Sequence, residues 1–206
     1  MIQSNEIKHG FGQRSHDLVG LFEDTNKMSS FMYKLEKQSF LDPDRYDPNK
    51  YVGDGFEFFV EIFLRSHAYD NRVGITNYEP VQSEDNGVDG VGINMIGEKC
   101  AVQVKYRGDN RQLLTTNQDH LGNMIVDAMM KFNIVKPEDN KHCPRYYVIT
   151  TAKGLHYYTD NEVFKGYVHC IGIDDLKSML DGNISFWDMC REIVKMIDPN
   201  NKKSIV

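Results

Sequence analysis

The chain has 206 residues, of which 40% are hydrophobic and 26% charged, and its formal net charge is −6. These proportions are typical of a soluble globular protein and exclude a chain that is disordered throughout. No window approaches 18 uncharged apolar residues and no apolar run follows the first charges, so we expect neither a membrane span nor a secretory signal. The four cysteines are widely spaced without a C-x-x-C pair, which favours reduced thiols and a cytoplasmic location.

The N-terminal part of the chain is predicted to be helical. Its apolar spacing predicts a helix over 26–38, then a loop over 42–50 that contains two prolines. A second helix is predicted over 53–67, and it is apolar on most sides, which is typical of a buried helix. Its carboxylates therefore need a partner, a metal or a shifted pKa.

The rest of the chain alternates between strands and helices. Strand-like runs occupy 73–76, 88–96 and 99–106, with a hairpin turn at Gly97 between the last two. The later elements are a helix over 117–132, strands over 145–151 and 167–173, and helices over 174–180 and 186–197, the first with Asp174 as its N-cap. This order predicts an α/β fold with a mixed central sheet covered by helices on both faces.

Basic residues are concentrated in the middle of the chain. Residues 97–157 hold 9 basic and 6 acidic side chains, against a net negative charge for the whole chain. A local basic face can bind phosphates even on an acidic protein. Lys99, Arg107 and Arg111 are the candidate phosphate contacts, and the alternative is that they are solvated surface charges.

Four residues have the chemistry of a metal-dependent hydrolytic site. Alternation along strand 99–106 puts Gln103 and Lys105 on one face, and hairpin pairing brings Asp89 near Gln103. The apolar helix can add Glu57. Carboxylate and amide oxygens are the ligands that Mg²⁺ prefers, and we expect Mn²⁺ to substitute. A metal activates a water and polarises a phosphoryl oxygen, while a lysine stabilises the developing negative charge.

These residues resemble the PD-(D/E)xK restriction-endonuclease-like nucleases, and most closely the Mrr-like restriction enzymes. The matching motifs are Phe56-Glu57 on a helix, Asp89 in a glycine-rich turn, Gln103-Val104-Lys105 on a strand, and the later strand that ends in Thr150-Thr151. The resemblance covers about 53–182. Val88 stands where the family name has proline, and Gln103 stands in place of the acid, so metal affinity would depend more on Asp89 and Glu57.

The resemblance implies a restriction-endonuclease-like core and a Mg²⁺-dependent DNA endonuclease that leaves a 5′-phosphate. Glu57, Asp89 and Gln103 would hold the metal, with Lys105 beside the attacked phosphate; Glu61 and Asp85 are the alternatives to Glu57 and Asp89. His120 is an alternative proton shuttle, although a metal-activated water does not require a histidine.

The nuclease core is expected over 51–182, between an N-terminal helical appendage at 1–50 and a C-terminal helix and tail at 183–206. Since this leaves little room for a separate sequence-recognition domain, we expect a homodimer or a partner protein to supply specificity. Two other functions stay open. One is a catalytically weak DNA-binding or assembly module of the same fold, and the other is an RNA nuclease.

Overall fold

The computed structural model describes residues 6–81, 87–116, 119–135, 143–156 and 168–197. The chain forms two compact units, the first from Met1–Ile62 with Asp174–Val206 and the second from Phe63–Ile173. The sequence predicts a different division, into segments 1–50, 51–182 and 183–206, and that division stays a prediction. Within the described ranges, no helix combines the length and the apolar character needed to cross a membrane.

The helices and strands are as follows. After a 3₁₀ turn at Gly10–Gln13, the helices are α1 (Leu18–Phe22), α2 (Met28–Ser39), α3 (Pro48–Ser66), α4 (Leu121–Phe132), α5 (Ile173–Leu180) and α6 (Ile184–Ile197). The strands are β1 (Ile75–Pro80), β2 (Gly90–Asn94), β3 (Lys99–Lys105), β4 (Leu113–Leu114), β5 (Tyr146–Thr150), β6 (Gly154–Leu155) and β7 (Val168–Ile171). The predicted longer elements are confirmed with shifted ends, whereas α1, β4 and β6 were not predicted.

The first unit is built around stacked aromatic rings. Phe31 of α2 lies 4.5 Å from Phe59 of α3, and Phe59 lies 5.9 Å from Trp187 of α6, measured between ring centroids. All three side chains are fully buried. The Trp187 indole N–H donates to the Leu180 carbonyl at 2.7 Å, so its polar atom is satisfied inside the core. These contacts explain why the helix predicted over 53–67 is apolar on most sides.

The start of α3 differs from the prediction, which placed 42–50 in a loop. The helix begins at Pro48, and the Asp47 carboxylate accepts the backbone N–H groups of Asn49 and Lys50 at 2.7 and 3.1 Å. Proline is favoured in the first turn of a helix because the missing N–H has no partner there. Asp47 and Pro48 therefore start the helix, although each is also common in turns.

The second unit contains a mixed sheet of five strands in the order β1-β2-β3-β5-β7. The β1–β2 and β2–β3 pairs are antiparallel, while β3–β5 and β5–β7 are parallel. The protein is therefore a mixed α/β protein with helices flanking the sheet, as the sequence predicts at this level. A separate pair of short parallel strands joins β4 and β6.

Helix α4 packs on the sheet through Met124 and Ala128, which share a buried cluster with Ala101 of β3 and Val148 of β5. The prediction that Asp174 caps the next helix is wrong, because α5 already begins at Ile173 and Asp174 lies in its first turn.

Candidate active site

Asp89 lies immediately before β2, at the open end of the β2–β3 hairpin. The register pairs Gly90 with Val102, which puts Asp89 opposite Gln103. The Asp89 backbone N–H donates to the Val102 carbonyl at 2.9 Å, and its Oδ2 accepts the Val104 backbone N–H at 2.6 Å. The carboxylate thus takes the place of a main-chain acceptor in the ladder, which fixes it beside the C-terminal half of β3.

A glycine lets the segment before Asp89 approach α4. A Cβ on Gly87 would lie 2.7 Å from the backbone nitrogen of Met124, a contact that would force the backbone to move. The Gly87 N–H also donates to Asp127 Oδ2 at 2.8 Å, which ties the segment to the helix. Gly87 therefore has a packing role beside Asp89.

Gln103 is buried on the face of β3 that also carries Ala101 and Lys105. The side chain is 1% exposed, and its Oε1 has no hydrogen-bond partner among the residues that the structure describes. A buried acceptor without a partner loses its hydration and gains nothing in return. Such an atom in a native protein calls for an explanation, and a bound water or ion is one.

Lys105 is the last residue of β3, and the neighbouring strand fixes its backbone. The Thr150 hydroxyl donates to the Lys105 carbonyl at 2.7 Å, and the Thr151 N–H donates to the same oxygen at 3.2 Å. The half-buried side chain makes no hydrogen bond or ion pair to any other described residue. Its ammonium group is therefore available at the end of the strand.

Arg107 follows two residues later and is held at several points. Its Nη2 donates to the Asp119 carboxylate, and its Nη1 donates to the Tyr106 carbonyl at 2.6 Å. Its backbone N–H donates to Thr151 Oγ1 at 2.6 Å. Both Arg107 and Lys105 thus depend on the hydroxyl residues that end β5.

The other two candidate phosphate contacts have different surroundings. Lys99 is exposed at the start of β3, and a strand of this length separates it from Lys105 by about 20 Å. The structure therefore does not bring Lys99 together with Gln103 and Lys105. Arg111 pairs with Asp109 at 3.1 Å, and both side chains are largely exposed. Their phosphate contacts stay predictions.

Glu57 and Glu61 belong to the first unit, where their surroundings differ. Glu61 is fully buried, and its two oxygens accept the backbone N–H groups of Lys8 and His9, both at 2.9 Å. Glu57 is 30% exposed and has one oxygen 3.2 Å from His9 Nε2. Glu61 therefore anchors the N-terminal segment, whereas Glu57 is the more accessible carboxylate. Asp85 lies outside the described residues.

The donor set fits a hard cation in its chemistry. Among the described residues there is no group of three or more His, Cys, Asp or Glu side chains that could hold a metal. An amide oxygen can also bind a metal, and the side chain of Gln103, opposite Asp89, has such an oxygen. A carboxylate and an amide oxygen that is unpartnered within the described ranges, on residues that face each other across two paired strands, are oxygen donors of the kind that Mg²⁺ prefers.

Three positioning contacts were missed at the sequence level. Thr150 and Thr151 enter the sequence pattern only as part of a motif, and no motif of the sequence includes Asp119. Their partners lie 45, 44 and 12 residues away in the chain. The parallel pairing of the strands that contain Lys105 and Thr150 was the signal that could have related them.

Comparison of the chain with protein-family models, with curated proteins and with solved structures finds no match.

Proposed function

We propose that the chain is a metal-dependent DNA endonuclease with a restriction-endonuclease-like core of the PD-(D/E)xK type. The observation that carries the proposal is the buried, unpartnered Gln103 Oε1 opposite Asp89 and two residues before Lys105; no partner for this atom occurs in the described ranges. The mixed sheet flanked by helices also agrees with the fold that the resemblance implies.

In this proposal Glu57, Asp89 and Gln103 hold Mg²⁺, and Mn²⁺ can replace it. Asp89 and Glu57 supply the negative charge that the neutral Gln103 oxygen lacks. The fixed position of Asp89 supports its assignment, whereas the assignment of Glu57 follows from the resemblance alone. When bound, the metal polarises a phosphoryl oxygen and activates a water for in-line attack.

Lys105 stabilises the negative charge that develops on the attacked phosphate. The two hydrogen bonds to the Lys105 carbonyl support this role, because they fix the backbone from which the side chain reaches the phosphate. Arg107 binds a neighbouring phosphate with the N–H groups that its contacts to Asp119 and Tyr106 leave over.

The proposed substrate is DNA inside the cytoplasm, and the product carries a 5′-phosphate. A homodimer would supply two such sites for the two strands of a duplex, and a partner protein is the other source of specificity. Burial raises the pKa of the Cys100 thiol to about 12 and keeps it protonated and unreactive.

A cleavage assay with a matched pair of lysine variants tests the proposal. The substrates are supercoiled plasmid, linear duplex, single-stranded DNA, a four-way junction and RNA, each with Mg²⁺, Mn²⁺ or EDTA. Lys105→Ala is compared with Lys99→Ala, which removes the same side chain from the same face at the other end of β3. We expect metal-dependent DNA cleavage that falls by about 100-fold or more in Lys105→Ala and far less in Lys99→Ala, whose predicted phosphate contact lies at the other end of the strand.

The other outcomes separate the alternatives. Salt-dependent DNA binding without cleavage in the presence of either metal would overturn the proposal of a nuclease and favour a DNA-binding module. Cleavage of RNA in preference to every DNA would replace the substrate class. Equal loss in the two lysine variants would show that charge, and not the position of Lys105, is what the reaction requires.

A further inference from the structure

The Arg107–Asp119 pair is more buried and has more hydrogen bonds than an ordinary surface ion pair. Asp119 is only 3% exposed and Arg107 is 28% exposed. The Asp119 Oδ2 accepts the Thr115 backbone N–H at 2.5 Å, while the other oxygen accepts from Arg107. The Asp119 N–H in turn donates to the Thr115 carbonyl at 3.1 Å. The contacts with Thr115 thus fix the Asp119 carboxylate in addition to its contact with the guanidinium.

The Arg107 backbone is locked as well. Thr151 Oγ1 accepts the Arg107 N–H at 2.6 Å and donates to the Arg107 carbonyl at 2.9 Å. An arginine has five N–H donors in a planar fork. One of them contacts Asp119 and one contacts Tyr106, and the other donors have no partner among the described residues.

A second pair in the same segment provides the contrast. Arg111 and Asp109 lie only two residues apart, and their side chains are 88% and 56% exposed. Such exposed pairs contribute little and hold neither partner firmly. Asp109 therefore neutralises an exposed arginine, whereas Asp119 fixes a half-buried one two residues after Lys105.

We propose that Asp119 is a positioning residue for phosphate binding. It holds the Arg107 guanidinium at the end of β3 so that the remaining N–H groups bind a DNA phosphate next to the one beside Lys105. This inference rests on the proposed function. Because the fork is already oriented, Arg107 loses little side-chain freedom when the phosphate binds.

The salt dependence of DNA binding distinguishes positioning from simple neutralisation. Each phosphate contact to duplex DNA contributes about 0.9 to the slope of log K against log salt concentration. In EDTA, Arg107→Ala should make this slope less steep by about 0.9, and Asp119→Ala should make it less steep by nearly as much. The double variant should lose no more than Arg107→Ala alone, because both changes remove one contact.

Asp109→Ala is the matched control, because it removes an equal charge from the exposed pair. We expect it to keep the slope and to bind DNA slightly more tightly, since a negative charge is gone. Under cleavage conditions Asp119→Ala should raise KM more than it lowers kcat. If Asp119→Ala instead behaves like Asp109→Ala, Asp119 only neutralises Arg107 and the inference is overturned.

Asp119→Asn keeps the inference testable if the alanine variant does not fold. The amide retains an acceptor for Arg107 but replaces the charged oxygens, so a partial loss of slope is expected, and an unchanged slope overturns positioning. Failure of the proposed function looks different. Wild-type protein without salt-dependent binding or metal-dependent cleavage overturns both proposals, whereas intact Lys105-dependent cleavage with an unchanged slope in both Asp119 variants overturns only this one.

Discussion

Replacing Gln103 by methionine should stabilise the metal-free protein while abolishing its activity. The buried Oε1 has no partner in the described part of the chain, and such a group costs about 1–3 kcal/mol. Methionine has a similar volume and length, and volume-conserving changes usually cost less than about 1.5 kcal/mol. We therefore expect a net gain of about 1 kcal/mol in the free energy of unfolding.

Urea unfolding in EDTA measures this gain, and repetition with Mg²⁺ measures the ligand. The wild type should gain stability from the metal, because an ion that binds only the folded state shifts the equilibrium towards it. Gln103→Met should gain less from the metal and should not cleave DNA. A higher free energy of unfolding for Gln103→Met than for the wild type in EDTA would then show that the Gln103 oxygen lowers the stability of the metal-free protein.

Gln38 is the matched control. It is also a buried glutamine, but unlike Gln103 it has hydrogen-bond partners among the described residues for both of its polar atoms. Its Nε2 donates to the Asp17 carbonyl at 2.8 Å, and its Oε1 accepts from the Tyr51 hydroxyl at 3.0 Å. Gln38→Met should therefore lower stability by about 1–3 kcal/mol. If Gln103→Met loses as much stability as Gln38→Met in EDTA, Gln103 is an ordinary core amide and the reasoning is refuted.

Three further predictions concern stability and are read from urea or thermal unfolding. Thr150→Val should cost about 1–3 kcal/mol, because it removes a buried hydroxyl that binds the Lys105 carbonyl; an unchanged midpoint would contradict this. Glu61→Gln should destabilise the protein more than Glu57→Gln, because only Glu61 holds two backbone N–H groups with a buried carboxylate; equal effects would count against it. Burial lowers the pKa of His67 below its usual 6.5, so the unfolded chain binds the proton better and stability should fall as pH drops below 6.5, less steeply in His67→Gln; identical pH profiles would exclude this.

The arrangement of β3 was predictable because it depends on local patterns. A period of two residues and a turn glycine fix the hairpin, and its register follows with Asp89 opposite Gln103. The burial of Gln103 was less predictable, since it arises because β3 is an interior strand between β2 and β5. The sequence shows alternation, but it does not show which strands lie on either side.

Contacts between distant parts of the chain could not be predicted. His9 binds Glu57 across 48 residues, and nothing in the N-terminal sequence indicates that pairing. The Arg107–Asp119 pair was equally hidden, because no sequence pattern relates an arginine after a strand to an aspartate 12 residues later. Asp47 and Pro48 show the reverse error, since turn-forming residues also start helices.

The most direct test of metal-dependent catalysis at this site is plasmid cleavage by wild type and Asp89→Asn, with Mg²⁺ or EDTA. Asparagine can still accept the Val104 N–H that now lies 2.6 Å from Asp89 Oδ2, so the fold should persist while the ligand charge is lost. We expect the wild type to cleave in the presence of Mg²⁺. Asp89→Asn should cleave at least about 100-fold more slowly, with an unchanged unfolding midpoint. Wild type that does not cleave with Mg²⁺, or Asp89→Asn that cleaves as fast, would contradict a metal-dependent nuclease centred on Asp89.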